Sequence, residues 1–247
     1  DTHPGMQTAH GGKFGVDMAD APALAARARG LEGVDLRGVH LHVGSQIVSV
    51  EPYRSAVERA LDLVVRIDGE SAGGLEFLDV GGGFPVPYVD PGAERAPGGY
   101  FRVTTTLDDY AAVVCEALTR RRPALKLFVE PGRFIVSDAA VVVTRVEMAK
   151  IKRLLDAAGE TVGEERWLLL DCGYDTLLDH SFVEWYFRMA VADRAGEPAD
   201  TAFRVGGPLC DSGDVYRGDD EAPYRYLPAT TTVGDIVVIR DAGAYTL

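Results

Sequence analysis

Leu125-Lys126-Leu127-Phe128-Val129-Glu130-Pro131-Gly132-Arg133 is the stretch on which the reading of this chain turns. Residues 125–129 form a short, apolar, β-prone run that stops at a proline-glycine break, so they read as a buried strand. Glu130 and Arg133 follow at once. A carboxylate and a guanidinium at the carboxyl end of a parallel strand are placed to hold a charged small molecule. An ion pair between the two is the simpler alternative.

Upstream, the same kind of phrase recurs where other strands should end: His40-Leu41-His42-Val43-Gly44-Ser45-Gln46 after a β-rich run from Leu36, and Asp79-Val80-Gly81-Gly82-Gly83-Phe84-Pro85 after one from Leu75. Helical periodicity fills the gaps. Asp17 to Arg29 closes on Gly30, Glu51 to Ile67 stops at Gly69, and Thr106-x-x-Asp109 opens a helix to Arg121 with a capping-box pattern. Strands alternating with helices predict parallel β/α units. After Arg133 the rhythm changes. Runs at 141–149, 166–170, 201–205, 224–228 and 235–239 are β-type, split by Gly, Pro and Asp turns, which predicts a mostly antiparallel second domain. The expected division is 1–137 and 138–247. Residues 87–103, rich in Gly and Pro, read as a long loop of the first domain.

Composition narrows the function. With 47% hydrophobic and 26% charged residues the chain is an ordinary globular sequence, and no run nears the roughly 18 apolar residues of a membrane span. A cytoplasmic setting is expected. The net charge of -13 opposes binding to a phosphate backbone, so nucleic acid is not an expected partner, and neither is a membrane. Arg120-Arg121-Arg122 sits at a helix's negative end, where cations belong for structural reasons. Cys115, Cys172 and Cys210 are odd in number and lack paired spacing, which predicts free thiols. His40 and His42 alternate on one strand face, but a third ligand at fitting spacing is missing, so no metal site is expected.

The glycine triplet 81–83 lets backbone N–H groups approach an anion, although a tight turn needs the same residues. Taken with Ser45, Gly132 and Arg133 it forms a coherent phosphate cup. Two further phrases lie downstream, Gly207-Pro208-Leu209-Cys210-Asp211-Ser212-Gly213-Asp214 and Gly243-Ala244-Tyr245-Thr246.

Five such phrases in this order resemble the pyridoxal-phosphate (PLP) decarboxylases of the alanine-racemase-like fold, the family of diaminopimelate, ornithine and arginine decarboxylases. The resemblance implies a lyase of amino-acid metabolism, in lysine or polyamine synthesis, built as a partial (β/α)8 TIM barrel followed by an antiparallel β domain. A whole barrel takes about 250 residues, so the chain is expected to be a fragment lacking the first barrel strands and the C-terminal end. The resemblance implies that Ser45, Gly81, Gly82, Gly83, Gly132 and Arg133 contact the PLP phosphate, with Tyr245 closing the cup. His42 stacks on the ring. Glu130 faces the pyridine nitrogen and keeps it protonated, which favours decarboxylation over racemisation. Cys210 reprotonates Cα, and Cys210 with Asp211 serves the neighbouring subunit of a homodimer whose active sites are shared. For Cys210 alone, a half-buried structural thiol is the plain alternative.

The resemblance also implies an amino-acid substrate, with Arg133 near its carboxylate. Diaminopimelate decarboxylases carry Arg-Pro after a Gly-x-x-x-Leu-Leu stretch, whereas here Gly173-Tyr174-Asp175-Thr176-Leu177-Leu178 runs into Asp179-His180. An aspartate repels a distal carboxylate and welcomes an ammonium. Asp179 and Asp211 therefore point to a basic diamino acid such as ornithine or lysine, with diaminopimelate as the alternative. The family's Schiff-base lysine lies on the first barrel strand. None of Lys13, Lys126, Lys150 and Lys152 matches its phrase, so the isolated chain is expected to be inactive even where the parent protein is an enzyme. A non-catalytic regulatory homologue and a phosphate-binding half-barrel with another ligand are the rivals.

Overall fold

A computed structural model of the chain describes residues 13–69, 74–179, 183–220 and 222–246. They fall into two compact units. The first holds the described residues up to Pro85 together with Val103–Phe134, and the second holds Val86–Arg102 with the described residues from Ile135 onward.

The first unit is three β/α units in sequence. Helix α1 (Ala21–Arg29) starts later than the periodicity suggested, because residues 17–20 are taken up in a turn in which Asp17 O accepts from the N–H groups of Asp20 and Ala21. Strands β1 (Gly38–His40), β2 (Phe77–Asp79) and β3 (Lys126–Phe128) pair in parallel in that order. Each is shorter than its apolar run, since the chain leaves the ladder at once to build a loop. Helix α2 (Glu51–Asp68) buries Tyr53, Val57, Leu61 and Val64. These are four residues at helical spacing, the stripe that faces a core. Helix α3 (Leu107–Arg121) begins with the capping box read from the sequence: Thr106 Oγ1 accepts from Asp109 N, and the Asp109 carboxylate accepts from Thr106 N at 2.8 Å.

The expectation of a buried strand at 125–129 is corrected. Among the described residues β3 pairs with β2 alone, which leaves Lys126, Phe128 and Val129 exposed, whereas Leu78 in central β2 is fully buried. The Arg120-Arg121-Arg122 cluster is structural. Arg120 and Arg121 pair with Glu58, and Arg121 reaches Asp62 at 2.6 Å, which fastens the end of α3 to α2.

The second unit is built on a six-stranded sheet of order β6-β9-β4-β5-β7-β8, from β4 (Val142–Leu155), β5 (Thr161–Leu170), β6 (Met189–Val191), β7 (Thr201–Gly206), β8 (Arg225–Leu227) and β9 (Ile236–Ile239). All its pairings are antiparallel except β5 with β7. The short helix α4 (Gly132–Val136) precedes it. The stretch read as a loop of the first domain belongs here. Tyr88 and Phe101 pack edge-on against Trp185, each at 5.1 Å between ring centroids, so aromatic burial decides its place rather than its Gly and Pro content. Among the described residues no helix is long and apolar enough to cross a membrane.

Candidate active site

The loops that leave β1, β2 and β3 at their carboxyl ends are pressed together, and glycine makes that possible. A Cβ on Gly82 would run into the Glu130 carbonyl, one on Gly83 into the Gly44 carbonyl, and one on Gly81 would lie 2.5 Å from the Leu41 carbonyl. Gly81 and Gly83 also have φ of +68° and +94°, a region L side chains avoid. The three loops are laced by Glu130 N donating to Gly81 O at 2.9 Å and Ile47 N donating to Gly83 O at 2.9 Å.

Two buried phenols support this floor from below. The Tyr53 hydroxyl of α2 donates to the Gly82 carbonyl, and the Tyr110 hydroxyl of α3 donates to the Ile47 carbonyl. Burial raises the pKa of both phenols, which keeps them protonated donors. Sequence reading missed them because a tyrosine in an apolar helical stripe is indistinguishable from core. It also missed Asp79, whose Oδ1 accepts from Gly81 N at 2.9 Å and fixes the first turn of the triplet.

On this floor the first unit gathers His42, Ser45, Gly81, Gly82, Gly83, Glu130, Gly132 and Arg133. The Arg133 Nε donates to Ser45 Oγ at 3.1 Å, with the guanidinium buried. The Gly132 Cβ direction opens onto free space. His42 Nδ1 accepts from Gly82 N at 3.4 Å. Desolvation by the surrounding loops lowers the His42 pKa and His40 adds to this, while Glu130 and Asp79 pull the other way. Glu130 is half exposed and has His40 Nε2 at 3.4 Å from its Oε2. The sequence alternative of a Glu130–Arg133 ion pair is not what forms. His40, Asp79 and Glu130 offer ligand atoms within 4.8 Å of one another. Asp79 among them already accepts from Gly81 N.

The second unit carries Cys210, Asp211, Asp179 and Tyr245. Cys210 and Asp211 are exposed on a loop organised by buried Asp214, which accepts from Leu209 N at 2.9 Å and Tyr174 N at 3.0 Å. Gly173 and Gly207 leave room for that carboxylate, since a Cβ on either would collide with it. Tyr174 and Asp211 are hydrogen-bonded through their side chains, and the Tyr174 pKa is raised by desolvation and then by Asp211. Asp179 is half-buried and its carbonyl accepts from Trp185 N at 3.0 Å; His180 lies outside the described residues, as does the opening segment 1–12. Tyr245 is exposed with φ of +59°.

These residues fit PLP on their own terms: a buried cation beside a hydroxyl and glycine-only backbone suits a phosphate dianion, and a carboxylate and an imidazole stand next to it for the ring. Residues 1–137 match the family model described as pyridoxal-dependent decarboxylase, pyridoxal binding domain. The chain belongs to the pyridoxal-dependent decarboxylases. It is 31% identical over 249 residues to the diaminopimelate decarboxylase of Archaeoglobus fulgidus, across 99% of this chain and 52% of that protein. It is 33% identical over 246 residues to the diaminopimelate decarboxylase of Pseudomonas aeruginosa, across 99% of this chain and 51% of the relative.

The fold is that of the alanine-racemase-like decarboxylases, a partial barrel with a β domain. The diaminopimelate decarboxylase of Helicobacter pylori complexed with L-lysine superposes with a TM-score of 0.76 at 27% identity, over 100% of this chain and 54% of that one. The lysine/ornithine decarboxylase of Vibrio vulnificus complexed with putrescine gives 0.72 at 26% identity, over 95% and 56%. The chain thus spans about half the length of the curated relatives it matches.

Proposed function

We propose that this chain supplies most of the cofactor cup and a proton-donating loop of a PLP-dependent decarboxylase acting on meso-diaminopimelate. The placement of Glu130 carries the reading, at the end of β3 and beside the glycine floor and the Ser45–Arg133 pair. Bound PLP supplies the electron sink for the pair left on Cα when the carboxylate departs as CO2. Glu130 would keep a proton on the pyridine nitrogen. Ser45, Gly81, Gly82, Gly83, Gly132 and Arg133 would hold the phosphate, with Tyr245 closing over it. A neutral His42 ring suits stacking on the cofactor, because an imidazolium there would repel the ring-nitrogen cation that Glu130 maintains.

Arg133 also lies where a substrate carboxylate would approach. Cys210 Sγ, on a loop stiffened by Asp214, would return a proton to Cα, and two copies would share the site, each lending this loop to the other. The non-catalytic alternatives have no use for a carboxylate, a phosphate cup and a positioned thiol held together.

A second reading survives on one observation. Asp179 stands where the diaminopimelate enzymes carry the arginine for a distal carboxylate, and it favours a distal ammonium, as in lysine or ornithine, with Asp211 in support. The test is CO2 release by the complete parent protein with PLP on diaminopimelate, lysine and ornithine. Fastest turnover of diaminopimelate is expected; preference for lysine or ornithine would establish the second reading, and release from none of the three would sink both. In the second case Asp179→Arg should raise diaminopimelate turnover at the diamino acid's expense.

A further inference from the structure

The segment 241–246, which follows β9 and carries Tyr245, is held in a backbone that most side chains avoid. Asp241 has φ of +60° and Tyr245 φ of +59°, both in the left-handed region, which is rare for a residue as bulky as tyrosine. Such a backbone persists only where its surroundings over-determine it. Here they do. Ala242 N donates to Ala140 O at 3.0 Å and Gly243 N to Ser137 O at 2.9 Å. A Cβ on Gly243 would collide with the Val136 carbonyl, so the segment lies close against the end of α4. Thr246 Oγ1 donates back to Ala242 O at 2.6 Å. Asp241, Ala242, Ala244 and Thr246 are buried, and Tyr245 is the side chain that stands out from them.

The first residue of the segment is fixed by charge. Arg188, just before β6, grips both oxygens of the Asp241 carboxylate, Nε to Oδ2 at 2.7 Å and Nη2 to Oδ1 at 2.6 Å, a two-pronged geometry that sets direction as well as distance. Its third nitrogen donates to Asp90 Oδ1 at 2.7 Å, and its carbonyl accepts from Arg240 N at 2.9 Å. The Asp241 carbonyl is held too: Ser137 Oγ donates to it at 3.3 Å, with the Tyr88 hydroxyl 2.9 Å from that Oγ. Backbone and side chain of Asp241 are therefore both pinned. Of the three residues between this clamp and Tyr245, Ala242 and Gly243 are bonded to Ala140 and Ser137, and Ala244 is buried, so little slack separates the clamp from the phenol.

We propose that Arg188 is a positioning residue for the cofactor phosphate: by fixing Asp241 it sets the backbone that presents the Tyr245 phenol. The inference rests on the reading above, in which Tyr245 closes the phosphate cup. An ammonium would neutralise Asp241 equally well, whereas the planar guanidinium fork also fixes the direction of the carboxylate, and a left-handed backbone needs that second constraint. The bonds that make the clamp lie inside the second unit, with the Asp241 side chain 3% and the Arg188 side chain 16% exposed.

The test is a double-mutant cycle of Arg188→Lys and Tyr245→Phe in the complete parent protein, read as PLP affinity from the cofactor's absorbance during titration. Tyr245→Phe removes one hydroxyl and should weaken PLP by about tenfold, as expected for one hydrogen bond to a charged group. Arg188→Lys keeps the charge, loses the fork and should weaken PLP by about fivefold. Added to Tyr245→Phe, it should weaken PLP no further, because it acts through that phenol. A purely structural loss would instead add in full in the double variant, and that result overturns the proposal, as does native affinity in Arg188→Lys. Native affinity in Tyr245→Phe is a different failure: it removes Tyr245 from the phosphate cup, and the proposal goes with it. Without cofactor, the Ala242 and Gly243 amide hydrogens should exchange about tenfold faster in Arg188→Lys, and unchanged protection also overturns the proposal. Should Arg188→Lys fail to fold, Asp90→Asn loosens the guanidinium from its outer side alone. It should weaken PLP by about twofold, again only while Tyr245 is present, and no loss or a fully additive one overturns the proposal.

Discussion

Glu130 and His42 sit on different loops of the first unit, near enough for the Glu130 charge to act on the imidazole, and each supports a sharp expectation. Replacing Glu130 by Gln in the complete protein removes the charge proposed to hold the ring nitrogen protonated while keeping the shape. We expect PLP to be retained, with its visible absorbance, and CO2 release to fall by about 100-fold. Equal turnover would remove Glu130 from the chemistry. For His42 the sign follows from its environment: its folded pKa is depressed below the ordinary 6.5, so its contribution to stability is present above that value and is lost as pH falls through the folded pKa. The lost interaction is the hydrogen bond from Gly82 N, which needs a bare Nδ1. Nitrogen NMR near neutral pH should find the Nε2–H tautomer, and denaturant unfolding should show stability declining below about pH 6.5. A doubly protonated ring at pH 7 would contradict this. At this scale the sequence was informative wherever chemistry alone singles out a residue, as with Glu130 and Arg133. It was silent on Tyr53, Tyr110 and Asp79, whose roles depend on which carbonyl or N–H lies opposite.

Elements form here where local signals and packing agree. The capping box at Thr106 was legible because a four-residue pattern satisfies its own orphan N–H groups without help from the fold. Thr106→Ala should cost about 1 kcal/mol in denaturant unfolding, with no effect on the PLP spectrum. Tyr53→Phe tests the opposite case, a long-range support. It leaves the buried Gly82 carbonyl without its donor and should cost about 2 kcal/mol. It should also weaken PLP binding, since the glycine floor loses its prop, and unchanged affinity would show that the floor holds itself. Strand β3 marks the limit of local reading. Its apolar composition reads as buried, yet Phe128 and Val129 are exposed because burial depends on which neighbours flank a strand. The same limit applies to residues 86–102, whose Gly and Pro content says loop while Tyr88 and Phe101 bind the segment into the second unit's aromatic core.

Across the whole molecule, each unit has its own means of holding together. In the second, Arg188 grips buried Asp241 through two hydrogen bonds of 2.7 and 2.6 Å and Asp90 at 2.7 Å, which ties residues 86–102 to the strand-end region. Arg188→Met strands the Asp241 carboxylate in the interior and should destabilise the protein by roughly 3 kcal/mol, read as a lower thermal midpoint. The first unit should respond to cofactor instead: PLP at 100 times its dissociation constant adds about 2.7 kcal/mol to the state that binds it. By itself the amino-acid order determined the β/α alternation, the change to antiparallel strands, the capped helix, and the order of five phrases that mark a PLP decarboxylase, because these rest on spacing and on the intrinsic chemistry of each side chain. Only the tertiary structure decided which strand is an edge among the described residues, where residues 86–102 pack, and that Arg133 pairs with Ser45 rather than Glu130. Those outcomes depend on contacts between residues tens of positions apart, which spacing along the chain does not encode.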